Sequence, residues 1–237
     1  MYRERPSRLP GAFVWSGNSG GETRVLPDGC MDLIYRDGNI TIAGPDTRAH
    51  VVDGEQWSTA VGLRFAPGCA PRVIGIPAHE LADLRVSLDD VWSSRATRHA
   101  VERLLGSDDP GAVLEDIALQ HDARADDPDA LLVDQVSQQA RIGDDVTTIA
   151  AAVGLSTRQL HRRCRDAFGY GAKTLSRILR MTRALDMARA GTTFAAAAAQ
   201  AGYADQAHLS REVKDLTDVT LGQLVAPAGN SAYRSTE

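Results

Sequence analysis

Residues 146–224 contain one pattern written twice, and no other feature narrows the possible folds of this 237-residue chain as far. The first copy, 148–162, reads TIAAAVGLSTRQLHR; the second, 195–211, reads AAAAAQAGYADQAHLSR. Each has an Ala-rich run, a Gly followed by an apolar residue (Gly154 and Leu155, Gly202 and Tyr203) and a capping residue (Ser156, Asp205). An apolar residue then stands two before an Arg (Leu160 and Arg162, Leu209 and Arg211). Two helices joined by a three- to four-residue turn approach closely, which favours Ala at the contact and Gly where φ is positive. Ser156 and Asp205 can accept backbone N–H bonds and so fix where the second helix of each pair begins. Leu160 and Leu209 then face inward. The pattern predicts two helix-turn-helix units.

That arrangement leaves a defined set of side chains pointing away from the core near the start of each second helix. They are Arg158, Gln159, His161 and Arg162 in the first copy, and Gln206, His208, Ser210 and Arg211 in the second. Groups of this kind hydrogen-bond base edges and phosphates in a DNA major groove. Between the copies, 174–190 has Leu175, Ile178, Met181, Leu185 and Ala188 at helical spacing, with Arg177, Arg180, Arg183 and Arg189 interspersed. At 1.5 Å per residue this helix spans about 25 Å. Such a spacer suits two helices held near the ~34 Å that separates successive major-groove segments.

Charge supports a division of labour. The whole chain carries −5, but residues 1–145 hold 14 Arg against 24 acidic residues, a net of −10, whereas 146–225 hold 11 basic against 6 acidic residues, a net of +5. A basic module on an acidic body is expected when one half meets phosphate and the other meets something else.

The acidic half changes character along its length. Segments 12–16, 23–26, 31–36, 39–43 and 59–65 are apolar or alternating and are separated by Gly, Pro or Asp, which predicts short strands. Asp37 and Gly38 between Tyr35 and Ile40 form a hairpin signal. From Pro77 the spacing becomes helical, over 79–84, 95–105 and 112–120. A first helix of the basic module is expected over 129–141. The fold class read from these patterns is α+β: a small N-terminal β-barrel or sandwich with trailing helices, then an all-α domain with two helix-turn-helix units joined by a linker helix. The expected domains are a sensor over 1–121, a linker at 122–129, a DNA-binding domain over 130–225 and a disordered tail at 226–237.

The residues quoted so far resemble the DNA-binding domain of the AraC/XylS family of transcription regulators. The likeness covers about 128–224 and extends to Phe168, Gly169, Tyr170 and Gly171 after the first unit. It includes Arg180, Ala184 and Leu185 in the linker helix, and Gly202, Tyr203, Leu209, Ser210 and Arg211 in the second unit. By that resemblance Arg158, His161 and Arg162 fall where the first recognition helix touches DNA, and Gln206, Ala207 and Arg211 where the second does. The chain departs from the family at Ala172, which replaces a Pro, at Val213, which replaces a Phe, and at Asp218–Leu221, where Gly-x-x-Pro is usual.

The N-terminal half resembles the effector domain of one branch of the same family. The likeness is carried by 26–34 (LPDGCMDLI), Ala43 to Pro45, Gly62 to Phe65 with Pro67 and Gly68, Gly75 with Pro77 and Ala78, Glu80 with Leu81, and Leu88 with Asp90 to Trp92. It implies a β domain that senses a small-molecule effector, followed by helices through which two copies of the chain could dimerise.

A barrel of this size holds one small ligand. The candidate effector-binding residues are Trp15, Tyr35, Trp57, Phe65 and, as the polar contact, Arg64, whose alternative role is to pair with Asp28 or Asp32. Cys30, Cys69 and Cys164 are widely spaced, and with His50 and His79 they form no paired metal-ligand pattern, so reduced thiols and no metal or cofactor are expected. Nucleophile elbow, phosphate loop, zinc-protease and dinucleotide motifs are all missing from the sequence, which reads as non-enzymatic. No signal-peptide pattern and no run of about 18 apolar residues occurs, so a soluble, cytoplasmic protein away from membranes is expected. Double-stranded DNA is the expected partner, with RNA polymerase and a second copy of the chain as further candidates. The rival reading is a ligand- or thiol-based sensor whose helical half makes protein contacts and binds DNA weakly or not at all.

Overall fold

The computed structural model of the chain describes residues 2–18, 23–52, 59–122 and 129–226. Trp57, most of the expected linker (123–128) and the tail from 227 onward lie outside the described residues. The acidic half contains strands β1 (Arg3–Pro6), β2 (Ala12–Asn18), β3 (Thr23–Val25), β4 (Met31–Arg36), β5 (Asn39–Ala43), β6 (His50–Val52), β7 (Thr59–Phe65) and β8 (Arg85–Ser87). Six of them form an antiparallel sheet in the order β1-β2-β7-β4-β5-β8, and β3 pairs with β6 in a separate ribbon. The β4–β5 hairpin turns through Asp37 and Gly38, both at positive φ (49° and 78°), as the sequence predicts.

Register decides which side of the sheet is core. Leu63 stands opposite Val14 and Leu33, Leu33 opposite Ile42, and Phe65 opposite Ala12 and Met31. Because facing residues share a side, these residues form one apolar face. That face packs with α1 (Pro71–Ile74), α2 (Ser94–Leu105) and α3 (Pro110–His121), whose Val73, Leu104, Leu114 and Ile117 join the same core. Helix is not what 79–84 forms. A single 3-10 turn at Ala78–Glu80 gives way to Asp83 at φ 59°, and the Leu84 carbonyl accepts from the Gly44 amide at 3.0 Å. Pairing with the β5 edge wins over the local helical spacing.

The edge strand β1 is tied to α3 by one carboxylate. The Glu115 side chain is only 2% exposed and accepts from Arg5 Nη1 and Nη2 (2.9 and 3.0 Å) and from the Arg8 amide (2.8 Å). Burial pushes its pKa up, but the bonds from Arg5 and Arg8 more than offset this and hold it at about 2. A depressed carboxylate stabilises the fold fully above its ordinary value near 4.5 and loses that contribution as pH falls toward about 2. Glu115→Gln is therefore expected to cost about 1.5–3 kcal/mol at neutral pH. The gap between variant and wild type in a denaturant titration should narrow steadily below pH ~4.5; a gap that stays constant down to pH ~2 would refute the assignment.

The basic half consists of α4 (Ala130–Ile142), α5 (Val146–Ala152), α6 (Thr157–Phe168), α7 (Ala172–Arg189), α8 (Phe194–Gln200), α9 (Gln206–Thr217) and α10 (Leu221–Val225). Helix α7 starts at Ala172, two residues before the sequence-based boundary, because Gly171 in extended conformation caps it and places Ala172 at the first helical position. Its apolar stripe is divided between two cores. Leu175, Ile178 and Leu179 pack with α4, α5 and α6, while Met181, Ala184 and Leu185 pack with α8, α9 and α10. Among the described residues no helix is long and apolar enough to cross a membrane.

Candidate nucleic-acid interface

Both turns are built as their sequences require. Gly154 and Gly202 sit at φ 68° and 81°. Ser156 caps α6 in a reciprocal box with Gln159, and Asp205 caps α9 by accepting from the His208 amide at 2.6 Å. Leu160 and Leu209 are fully buried beneath the two helices, each worth about 1.5–3 kcal/mol of apolar burial.

The opposite faces of α6 and α9 are open to solvent. Arg158, Gln159, His161 and Arg162 are exposed on α6, and Gln206, Ala207 and Arg211 on α9. Arg158 and Arg162 make no hydrogen bond or ion pair among the described residues. Arg211 folds its Nε back onto the Ala207 carbonyl at 3.3 Å, a contact it can exchange for another acceptor. Four of the sequence-derived residues are less free than their exposure on a helical wheel suggests. Gln159 Oε1 accepts from the Ser156 amide and hydroxyl (2.9 and 2.7 Å), so only its amide nitrogen remains available. His161 leans over Gly171, His208 is half-buried edge-on against Tyr203 at 5.2 Å, and Ser210 is half-buried. Cys164, on the inner side of α6, is a buried free thiol whose pKa burial pushes up to about 12.

The β domain sits against the C-terminal ends of α6 and α9. After α6, the Tyr170 ring is buried, and its hydroxyl lies 3.5 Å from where a Cβ on Gly29 would stand. That hydroxyl has no hydrogen-bond partner among the described residues. His79 Nδ1 lies 3.3 Å from Asp166 Oδ1, and Gly68 fits between Val133 of α4 and Phe168 of α6. At the end of α9, the Leu216 carbonyl accepts from the Ala49 amide at 2.8 Å and the Thr217 carbonyl from Arg24 Nη1 at 3.2 Å, while Leu26 joins the second helical core. The loop between β5 and β6 thus touches both units, since Pro45 abuts Gly169 and Ala49 bonds Leu216. It is pinned to its own domain by Asp46 with Arg85 and by Thr47 with Asp83.

Among the described residues, the effector-binding candidates divide between the two faces of the sheet. Tyr35 and Phe65 lie on the core face, Phe65 with no exposure at all. Trp15 and Arg64 lie on the other face, with Asp32 opposite Arg64 and Trp15 across Gly62. There Arg64 forms an ion pair with Asp28, and Trp15 Nε1 donates to Asp32 at 2.7 Å. Burial raises the Asp32 carboxyl above its ordinary value. Strand alternation placed these residues on opposite sides, and a reading by residue type alone could not see it. Sequence reasoning also missed Glu212, Tyr170 and the 45–49 loop as structural parts of the interface. Only Glu212 left a signal: an acid in the inward stripe of α9, within reach of the α7 arginines.

Residues 149–226 match a family model described as a helix-turn-helix domain, and residues 12–87 match one described as a domain of unknown function (DUF6597). The structure of ToxT from Vibrio cholerae is similar over 91% of this chain and 98% of that one, at 8% identity and a TM-score of 0.50. A probable AraC family transcriptional regulator from Rhodopseudomonas palustris CGA009 is 19% identical over 40% of this chain and 95% of its own, with a TM-score of 0.35. No curated protein matches the chain. By the family-model match, residues 149–226 form a helix-turn-helix domain.

Proposed function

We propose that the protein is a sequence-specific regulator in which α6 and α9 read two successive major-groove segments of one duplex and the N-terminal domain responds to a small effector. The observation that carries this reading is the pair of capped, solvent-facing helices, each presenting an arginine (Arg162, Arg211) and amide-bearing neighbours, attached to the two halves of one continuous helix. Arg158, Gln159, His161 and Arg162 are assigned to the first segment and Gln206, His208, Ser210 and Arg211 to the second. The domain limits proposed are 1–121 for the sensor, 122–129 for the linker and 130–225 for the DNA-binding domain, in a cytoplasmic protein without a catalytic step.

The effector is assigned to the sheet face bearing Trp15, Arg64 and Asp32, in place of the divided set read from sequence. Tyr170 supports this choice: the first helix-turn-helix unit ends against Gly29, beside the Asp28 partner of Arg64. An effector bound there acts only if it binds the DNA-competent and DNA-incompetent arrangements unequally. Leu105 and Leu119, exposed at 66% and 41% on α2 and α3, support a second copy of the chain as partner; RNA polymerase enters if the protein activates.

A mobility-shift titration with the region upstream of the protein's own gene tests the reading. Four to six phosphate contacts should lower affinity roughly 10²–10³-fold between ~50 and ~200 mM salt. Binding that is absent at low salt, or insensitive to salt, would favour the rival in which the helical half contacts proteins.

A further inference from the structure

A buried ionic cluster joins α9 to α7 behind the reading face. Glu212 is 9% exposed. Its Oε1 accepts from Arg180 Nη2 at 2.8 Å and from the Tyr203 hydroxyl at 3.0 Å, and its Oε2 accepts from Arg177 Nε at 3.0 Å. Arg177 also donates to Asp215 at 2.7 Å, and the Arg180 guanidinium lies 4.2 Å from the centre of the Tyr203 ring. Burial raises the Glu212 pKa, but the bonds from Arg180 and Arg177 outweigh it and hold the carboxyl below its ordinary value. It is therefore ionised at neutral pH.

The motif itself does not need this carboxylate. At the matching place in the first unit stands Arg163, which pairs outward with Asp129. Leu209 and Val213 already fix α9 against the core, but apolar contacts are non-directional. Three hydrogen bonds, from two turns of α7 and from the turn before α9, are directional. They restrain both the rotation of α9 about its axis and its slide along α7. Arg211 is the preceding residue on the same helix, so any rotation of Glu212 carries Arg211 with it.

We infer that Glu212 is a positioning residue that sets the rotation of α9 against α7, and with it which bases the second unit reads and how far they lie from those read by the first. The inference rests on the proposed two-segment reading. It concerns specificity, since a carboxylate behind the helix cannot itself touch DNA.

The test uses the full chain as wild type, Glu212→Gln and Tyr203→Phe. The probes are a duplex selected from random sequences by the wild type, single base-pair replacements across both half-sites, and a one-base-pair insertion between them. Wild type should lose at least ~10-fold on the insertion, which adds about 3.4 Å of rise. Glu212→Gln should discriminate at least ~10-fold less well across the second half-site, tolerate the insertion within about 3-fold, and keep first-half-site discrimination. Tyr203→Phe removes one hydroxyl and keeps the ring, so it should fold and move the same readouts less. Simple destabilisation lowers the active fraction and depresses all probes alike. Equal losses at both half-sites, or unchanged discrimination at the second in both variants, would overturn the positioning role alone. A wild type with no sequence-dependent binding would overturn the two-segment reading and this role together.

Discussion

Replacing Arg162 and Arg211 together by Ala is expected to weaken specific duplex binding by roughly 2–6 kcal/mol, enough to remove it at physiological salt. Each arginine on a recognition helix contributes about 1–3 kcal/mol when it reaches a base edge or a phosphate. The two stand on helices anchored in separate cores, and distant sites with no shared partner add within a few tenths of a kcal/mol. Both side chains are exposed, and among the described residues the only bond lost is that of Arg211 to Ala207. Melting temperature should therefore stay within about a degree or two of wild type, since exposed substitutions cost about ±0.5 kcal/mol. Titration of each single variant and the double variant on one duplex decides the matter. If either single variant binds like wild type, that helix does not read DNA through its arginine.

Gly68→Ala is expected to cost about 2–6 kcal/mol and to open the seam between the β domain and the first helix-turn-helix unit. The residue sits at φ 82°, where an L side chain is strained by about 1–3 kcal/mol. A Cβ there would stand 2.3 Å from Val133 Cγ1 and 2.7 Å from Phe168 Cε1, both in the first helical core. Overpacking of that kind costs typically about 1–3 kcal/mol. The strain and the clash are separable, because Val133→Ala added to Gly68→Ala removes the nearer contact and leaves the backbone strained. Hydrogen exchange at 168–171 should speed up in the single variant and partly recover in the double. Protection unchanged from wild type in the single variant would mean that the seam does not depend on this contact.

How much of this was readable from residues alone varied with the range of the interactions. The helix-turn-helix units were legible because their determinants are local: Ser156, Asp205, Gly154 and Gly202 act within four residues of themselves. The central strands were legible for the same reason, through alternation and the Asp37 and Gly38 turn. Strands β1, β6 and β8 were not, since each is held by a distant neighbour, as Arg85 to Ser87 are by β5 and the end of β1 is by Glu115. The helix expected at 79–84 failed on that ground. The effector candidates follow from residue type alone, as aromatic residues of the strand region with one arginine, whereas strand register puts Tyr35 and Phe65 on one side and Trp15 and Arg64 on the other. Position alone makes Gln159 a base reader, but three residues upstream Ser156 claims its oxygen.

The shared ownership of α7 by two cores bears on how such a protein can evolve. An α-helix turns about 100° per residue, so inserting one amino acid between Leu179 and Met181 would swing everything beyond it a quarter-turn and more out of alignment with its own hydrophobic partners. On the proposed two-segment reading, half-site spacing therefore cannot drift by small steps in the protein. It is free to change in the DNA first, or by whole pairs of helical turns, and selection on operators is left to do the fine adjustment.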